Sequence, residues 1–203
     1  GARIHDRTEV TRWTFHRRGV ELFTSRGARV RARWLVVATG YEAGRFLPEP
    51  IGMLHSTYAA ISEPVLAFAG WPAGRCLIWD TADPYLYLRT TSDGRAIIGG
   101  YDEPFRDPRA RDRLLSAKVV ALRRRFAQCF PRIPFEVATA WAGTFGSTAD
   151  GLPVIGAHPE VPHTWFALGF GGNGTTFSMI AAEIIREAML GRADPDAELF
   201  GFR

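Results

Sequence analysis

Residues 164–190 carry the clearest chemical signal in this sequence. Thr164-Trp165-Phe166-Ala167-Leu168 is a short apolar segment with strand character. Gly169-Phe170-Gly171-Gly172-Asn173-Gly174 follows at once, and Thr175 to Leu190 then reads as a helix rich in Ala, Ile and Met, stopped by Gly191. Gly169, Gly171 and Gly174 satisfy the GxGxxG pattern in a strand-to-helix context. Such a turn lets backbone N–H groups approach a ligand closely. The helix start adds free donors and positive dipole, so the chemistry it suits is the binding of an anionic or electron-rich cofactor edge. A dinucleotide fold would require a further parallel strand after the helix, with an acidic residue near its end. Only about a dozen residues follow the helix here, they read as polar, and Asp194 falls on that tail. The turn is therefore expected to face a part of a cofactor other than the pyrophosphate. A purely structural tight turn is the competing reading.

Two further glycine-punctuated passages precede it, Trp141-Ala142-Gly143-Thr144 and Asp150-Gly151-Leu152-Pro153-Val154-Ile155-Gly156. Three such passages close in sequence suggest one tightly approached ligand. Other chemistries find no support. There is no GxSxG nucleophile elbow and no HExxH helix. Cys76 and Cys129 do not form a CxxC, and no His completes a zinc site, so no metal is expected and both thiols read as isolated and buried. Asp80, Asp83, Asp102 and Glu103 flank predicted strands and read as solvated loop charges.

Several elements must position these residues. Val10 to His16 alternates with a period of two, and turns near Arg18-Gly19 and Ser25-Arg26-Gly27 lead into further strands, giving a β-meander. Leu35-Val36-Val37-Ala38-Thr39-Gly40 is a continuous apolar run of the kind buried in a parallel sheet. Either later strands complete that sheet, or its first strands lie outside this sequence. Residues 53–70 and 75–101 predict antiparallel strands. The clearest pair is Tyr85 to Thr90 with Arg95 to Gly100, joined through Thr91-Ser92-Asp93-Gly94. Asp107-Pro108 opens a helix to about Cys129, stopped by Pro131 and Pro134. The strand Phe135 to Trp141 leads out. The fold class is thus mixed α+β and α/β. A partial nucleotide-type domain over residues 1–49 and 142–203 encloses an antiparallel-sheet domain with a covering helix over residues 50–141.

At these residues the chain resembles the FAD-dependent D-amino-acid oxidase, glycine oxidase and sarcosine oxidase superfamily. The matching passages, in order, are Val36 to Gly40, Tyr87 to Gly100, Trp141 to Gly156, and Gly169 to Gly174 with its helix. The resemblance implies FAD as cofactor and oxidation of the C–N bond of an amine or amino acid by hydride transfer to the flavin. It implies a glutathione-reductase-like FAD domain with Val10, Thr39 and Gly40 near the cofactor, Gly143 in the same group, and Gly169, Phe170, Gly171, Gly172, Asn173, Gly174 and Thr175 lining the flavin ring. Tyr87 falls at a substrate-facing tyrosine. Arg89, two residues on, shares its strand face and could offer a guanidinium fork to a carboxylate; a solvated arginine and a core tyrosine are the alternatives. Glycine-oxidase-like members hold the substrate carboxylate with arginines where this chain has Phe145 and Gly172. A primary or secondary amine is thereby favoured over a simple α-amino acid. The family's N-terminal βαβ unit has no counterpart, so the sequence is expected to begin midway through the FAD domain. A non-catalytic remnant that binds or oligomerises through exposed sheet edges is the alternative function.

Composition bounds the rest. Hydrophobic residues make up 46% of the 203, with 6 Trp and 14 Phe, enough for a core. The net charge is +4, and Lys118 is the only lysine. The arginines are dispersed along strand and helix faces and form no dense basic run, which argues against a nucleic-acid partner. No apolar run approaches the roughly 20 residues of a membrane span. A cytoplasmic protein without a membrane partner is expected.

Overall fold

The computed structural model describes residues 1–203, which divide into two compact units: Gly1–Gly52 with Gly146–Arg203, and Met53–Phe145.

In the first unit, β1 (Val10–His16), β2 (Gly19–Thr24) and β3 (Arg29–Ala32) form the antiparallel meander. Gly19 is obligatory there: its φ is +151°, and a Cβ would drive into the Ala32 carbonyl. A second sheet has the order β10-β11-β4, built from β4 (Leu35–Val37), β10 (Val154–Ala157) and β11 (Thr164–Leu168). β4 and β11 run parallel, with Leu35 opposite Thr164 and Val37 opposite Phe166. The apolar run at 35–37 thus finds its parallel neighbour late in the chain. Helix α2 (Gly174–Met189) covers the sheet. Its buried Ala181, Ile184 and Ile185 pack on Ile155 and Ala167 at helical spacing. Val37, Phe166 and Leu168 belong to a second apolar cluster with Ala43 and Val161.

The segment after α2 corrects the expectation of a polar tail. Phe200 packs into the cluster under α2, and Phe202 packs edge-on against Phe166 at 5.4 Å. The Ile155 N–H donates to the Phe200 carbonyl (2.7 Å). Arg203 makes a two-pronged fork on Asp150, Nε to Oδ2 at 2.6 Å and Nη2 to Oδ1 at 2.7 Å. This fork, with the Leu152 N–H, holds the Asp150 carboxyl well below its usual 3.8. A carboxylate with a depressed folded pKa stabilises the fold above the ordinary aspartate range, and that stabilisation is lost as the pH falls below it. Asp150→Asn is accordingly expected to lower the melting temperature at neutral pH. The gap to wild type should close in acid, as melting curves across pH would show.

In the second unit a five-stranded sheet has the order β6-β7-β8-β5-β9: β5 (Met53–Ser62), β6 (Ile78–Trp79), β7 (Leu86–Thr90), β8 (Ala96–Pro104) and β9 (Val137–Ser147). The β7–β8 hairpin closes through Thr91–Arg95, where the Thr91 hydroxyl accepts from the Arg95 N–H (2.9 Å). Helix α1 (Pro108–Cys129) starts at Asp107, whose carboxylate accepts from the Ala110 N–H (2.8 Å), with proline in the first turn. Leu122 and Phe126 of α1 pack on Tyr58, Leu86, Leu88 and Ile98 of the sheet. Phe126 has no exposed surface and sits among Trp71, Phe130 and Phe135 at ring distances of 4.5–6.4 Å. One face of the sheet therefore belongs to α1.

One expectation is corrected here. Cys76 and Cys129 are both free and both exposed. Trp141-Ala142-Gly143-Thr144 lies in the middle of the eleven-residue strand β9. No helix is long and apolar enough to cross a membrane.

Candidate functional sites

In the first unit the candidate residues Thr39, Gly40 and Gly169 to Thr175 gather at one end of the parallel pair. β4 ends at Val37, leading into exposed Thr39 and Gly40, and Gly40 (φ +62°) opens a 3-10 turn over Gly40–Arg45. β11 ends at Leu168, leading into Gly169. Both crossings lie at the carboxyl ends of parallel strands, where ligands bind in open α/β sheets. Gly169 takes φ +72°, and a Cβ there would come within 2.8 Å of Thr148 Cγ2. Gly171 takes φ +53° and donates its N–H to the Gly146 carbonyl (3.0 Å). Phe170 bridges to Ser147 and tilts toward Phe177 at 6.3 Å, tying the turn to its flanks.

Asn173 precedes α2 without capping it: its side chain accepts nothing from the first turn, while its carbonyl accepts from the Phe177 N–H (3.0 Å). Gly172, Asn173 and Thr175 are exposed. A Cβ at Gly40, Gly171 or Gly174 would meet no atom of the chain within 4 Å. The turn thus combines an uncapped helix start, its donors and positive dipole facing outward, with backbone left open to close approach. No acidic residue occupies the first turn of α2 to spend that dipole. These features fit the edge of a flavin ring. Val10 opens β1 on the separate meander sheet, opposite Thr24.

In the second unit the sheet face turned away from α1 carries a different chemistry. Tyr87 pairs with Gly99 across the hairpin, and its ring lies flat over that glycine, where any Cβ would collide with the ring. Gly99 is therefore glycine to let Tyr87 lie across the strand. Tyr85 stands next to it, ring centroids 6.3 Å apart. His55 stacks on Phe145 at 5.3 Å, and the Cβ position of Gly143 lies 3.4 Å from Thr57 Cγ2. Arg89 is exposed and registers with Ile97.

Asp102 joins this face, contrary to the expectation of a solvated loop charge. β8 does not stop at Gly100; it continues through Tyr101, Asp102 and Glu103 to Pro104. The two acids then part. Glu103 pairs with Lys118 of α1 at 2.6 Å. Asp102 is partly buried, and its Oδ1 is sealed from solvent without a hydrogen-bond partner. Burial pushes the Asp102 carboxyl up, against a hydrogen bond from Thr57 and the charges of His55 and Lys118. Burial first, and Asp102 next, push the Tyr85 and Tyr87 hydroxyls up as well. Sequence reasoning assigns no role to Thr57, Tyr85 or Gly99 and reads Asp102 as a loop charge. The one available signal was the Gly99-Gly100 pair opposite Tyr87.

The FAD dependent oxidoreductase (DAO) family model matches residues 1–188. The chain belongs to this family. Over 188 residues it is 29% identical to the glycine oxidase of Geobacillus kaustophilus (strain HTA426), covering 92% of this chain and 48% of that one. It is 27% identical to the gamma-glutamylputrescine oxidoreductase of Escherichia coli (strain K12), covering 96% of this chain and 45% of that protein. The crystal structure of glycine oxidase from Geobacillus kaustophilus superposes with a TM-score of 0.73 at 23% identity, over 97% of this chain and 52% of the other. The chain therefore spans about half the length of these relatives. The DAO family is FAD-dependent, so FAD is the cofactor this family membership implies.

Proposed function

We propose that this DAO-family chain supplies the flavin-ring and substrate portions of an oxidoreductase acting on the C–N bond of an amine or amino acid. The first unit is the partial FAD-binding domain, and the second is the substrate-binding domain. The observation that carries the reading is the uncapped, acid-free start of α2 behind Gly171 and Gly174, in a chain matched by the FAD-dependent family over residues 1–188.

Gly169 to Thr175 would hold the flavin ring, with Thr39 and Gly40 beside it at the neighbouring strand end. Bound FAD supplies the hydride acceptor. The N–H groups of the first turn of α2 would stabilise negative charge at the edge they face. Tyr87, held flat by Gly99, would present a rigid aromatic surface and a hydroxyl to the substrate, and Arg89 would offer a fork to a carboxylate. Phe145 and Gly172 leave no guanidinium at either position discussed above, which favours an amine over a simple α-amino acid.

Purified chain mixed with FAD and freed of excess is expected to keep a visible flavin band, and an amine substrate is expected to bleach it without oxygen. A colourless protein would overturn catalysis by this chain. A second reading, a non-catalytic module that associates through sheet edges, is favoured by the free side of β4. Half-exposed Val36 borders a groove of about 470 Å³ there, with Ala182, Ile185 and Met189 on the α2 side. A colourless dimer, seen in sedimentation, would support it.

A further inference from the structure

The second-unit sheet face holds one group that the reading above does not use. Asp102 is a carboxylate with one oxygen sealed and unpartnered. Such an atom costs stability unless a partner arrives. The neighbouring cation on α1 is already engaged: Lys118 Nζ bonds Glu103 and the Tyr101 carbonyl, each at 2.6 Å, on the helix side. Around Asp102 stand Tyr85 and Tyr87, on whose hydroxyls its charge acts, with ring centroids 6.3 Å apart at 45°. Arg89 is at the other end. Along β7, Arg89 registers with Ile97, Tyr87 with Gly99 and Leu86 with Gly100, so Asp102 lies beyond Tyr87 from Arg89.

A carboxylate beside two aromatic rings complements an ammonium group: the charges are opposite, and the carboxylate oxygens accept what the ammonium donates. We propose that Asp102, flanked by Tyr85 and Tyr87, is a cation-recognition site that takes an ammonium group of the substrate. The proposal rests on the amine-oxidoreductase reading and narrows its substrate class. An amine can lose a hydride from its carbon only when its nitrogen lone pair is free. The ammonium held by Asp102 is therefore a second one, and the substrate class is a diamine or other amine with a distal cation.

Calorimetric titration of the full chain with 1,4-diaminobutane, butylamine and glycine tests this. The diamine is expected to bind more tightly than either of the others, and Asp102→Asn is expected to weaken it about tenfold or more. Glu103→Gln removes the same charge from the opposite face and should leave diamine binding unchanged. Circular dichroism of both variants guards against misfolding, and Tyr85→Leu, which keeps the carboxylate but removes a ring, is expected to weaken binding severalfold. Equal diamine affinity in wild type and Asp102→Asn, equal losses in both charge variants, or tighter binding of glycine would overturn the proposal. Flavin retention, recorded on the same samples, reports separately. Asp102-dependent diamine binding by a chain that holds no FAD would sink the flavoenzyme reading and leave this site standing.

Discussion

Phe126→Ala is expected to destabilise the second unit by about 3–5 kcal/mol, the range for emptying a fully buried aromatic site. Phe126 has no exposed surface, and it joins α1 to the sheet through Trp71, Phe130 and Phe135. The surrounding rings are themselves wedged against Tyr58, Leu86 and Ile98, so the space cannot collapse cheaply. The alternate face of the same sheet carries Tyr87 and Asp102, so loosening α1 should also weaken whatever that face binds. Val120→Ala, on the exposed side of the same helix, serves as the contrast and should stay within about 0.5 kcal/mol of wild type. Urea denaturation followed by circular dichroism measures both. Near-equal midpoints for the two variants would show that the α1 core is not the unit's main source of stability.

Gly174→Asp is expected to separate folding from flavin binding. The site is the first residue of α2, φ is unremarkable, and a Cβ there meets nothing within 4 Å. A carboxylate in the first turn interacts favourably with the helix dipole, by about 0.3–1 kcal/mol. The variant should therefore melt at or slightly above the wild-type temperature. The same charge would occupy the positive end that the flavin edge is proposed to use, and would repel the electron density that builds there on reduction. FAD affinity should fall about tenfold or more, equivalent to about 1.4 kcal/mol. A neutral change at the same place, Gly174→Ala, should do far less, which assigns the loss to charge and not to bulk.

The parts of this molecule that could be read from its residues are those whose causes are local. Helix α1 begins and ends where Asp107-Pro108 and Pro131 place it, because caps and prolines act within one turn. The β7–β8 hairpin follows from Asp93-Gly94, and the strand, glycine turn and helix at 164–190 follow from an abrupt change of pattern at Gly169. The misreadings arise where distant segments decide. Phe200 and Phe202 sit among polar residues with no periodicity, and only the surfaces left by Ile155 and Phe166 bury them. Asp102 looked like a loop charge because Gly99-Gly100 looked like a strand end. Those glycines instead make room for the Tyr87 ring and for the close approach of Tyr85 and Leu86. Nothing within ten residues of Asp102 announces that Tyr87 and Thr57 are its neighbours.

The start of α2 and its glycine turn are proposed to hold the flavin ring. Equilibrium titration of FAD with the full chain, read by quenching of flavin fluorescence and by the shift of its visible band, tests it most directly. Binding is expected to saturate, and Gly174→Asp is expected to weaken it about tenfold or more while the melting temperature holds or rises. Binding of equal strength in wild type and Gly174→Asp, or a flavin spectrum that the wild-type chain never perturbs, would contradict it.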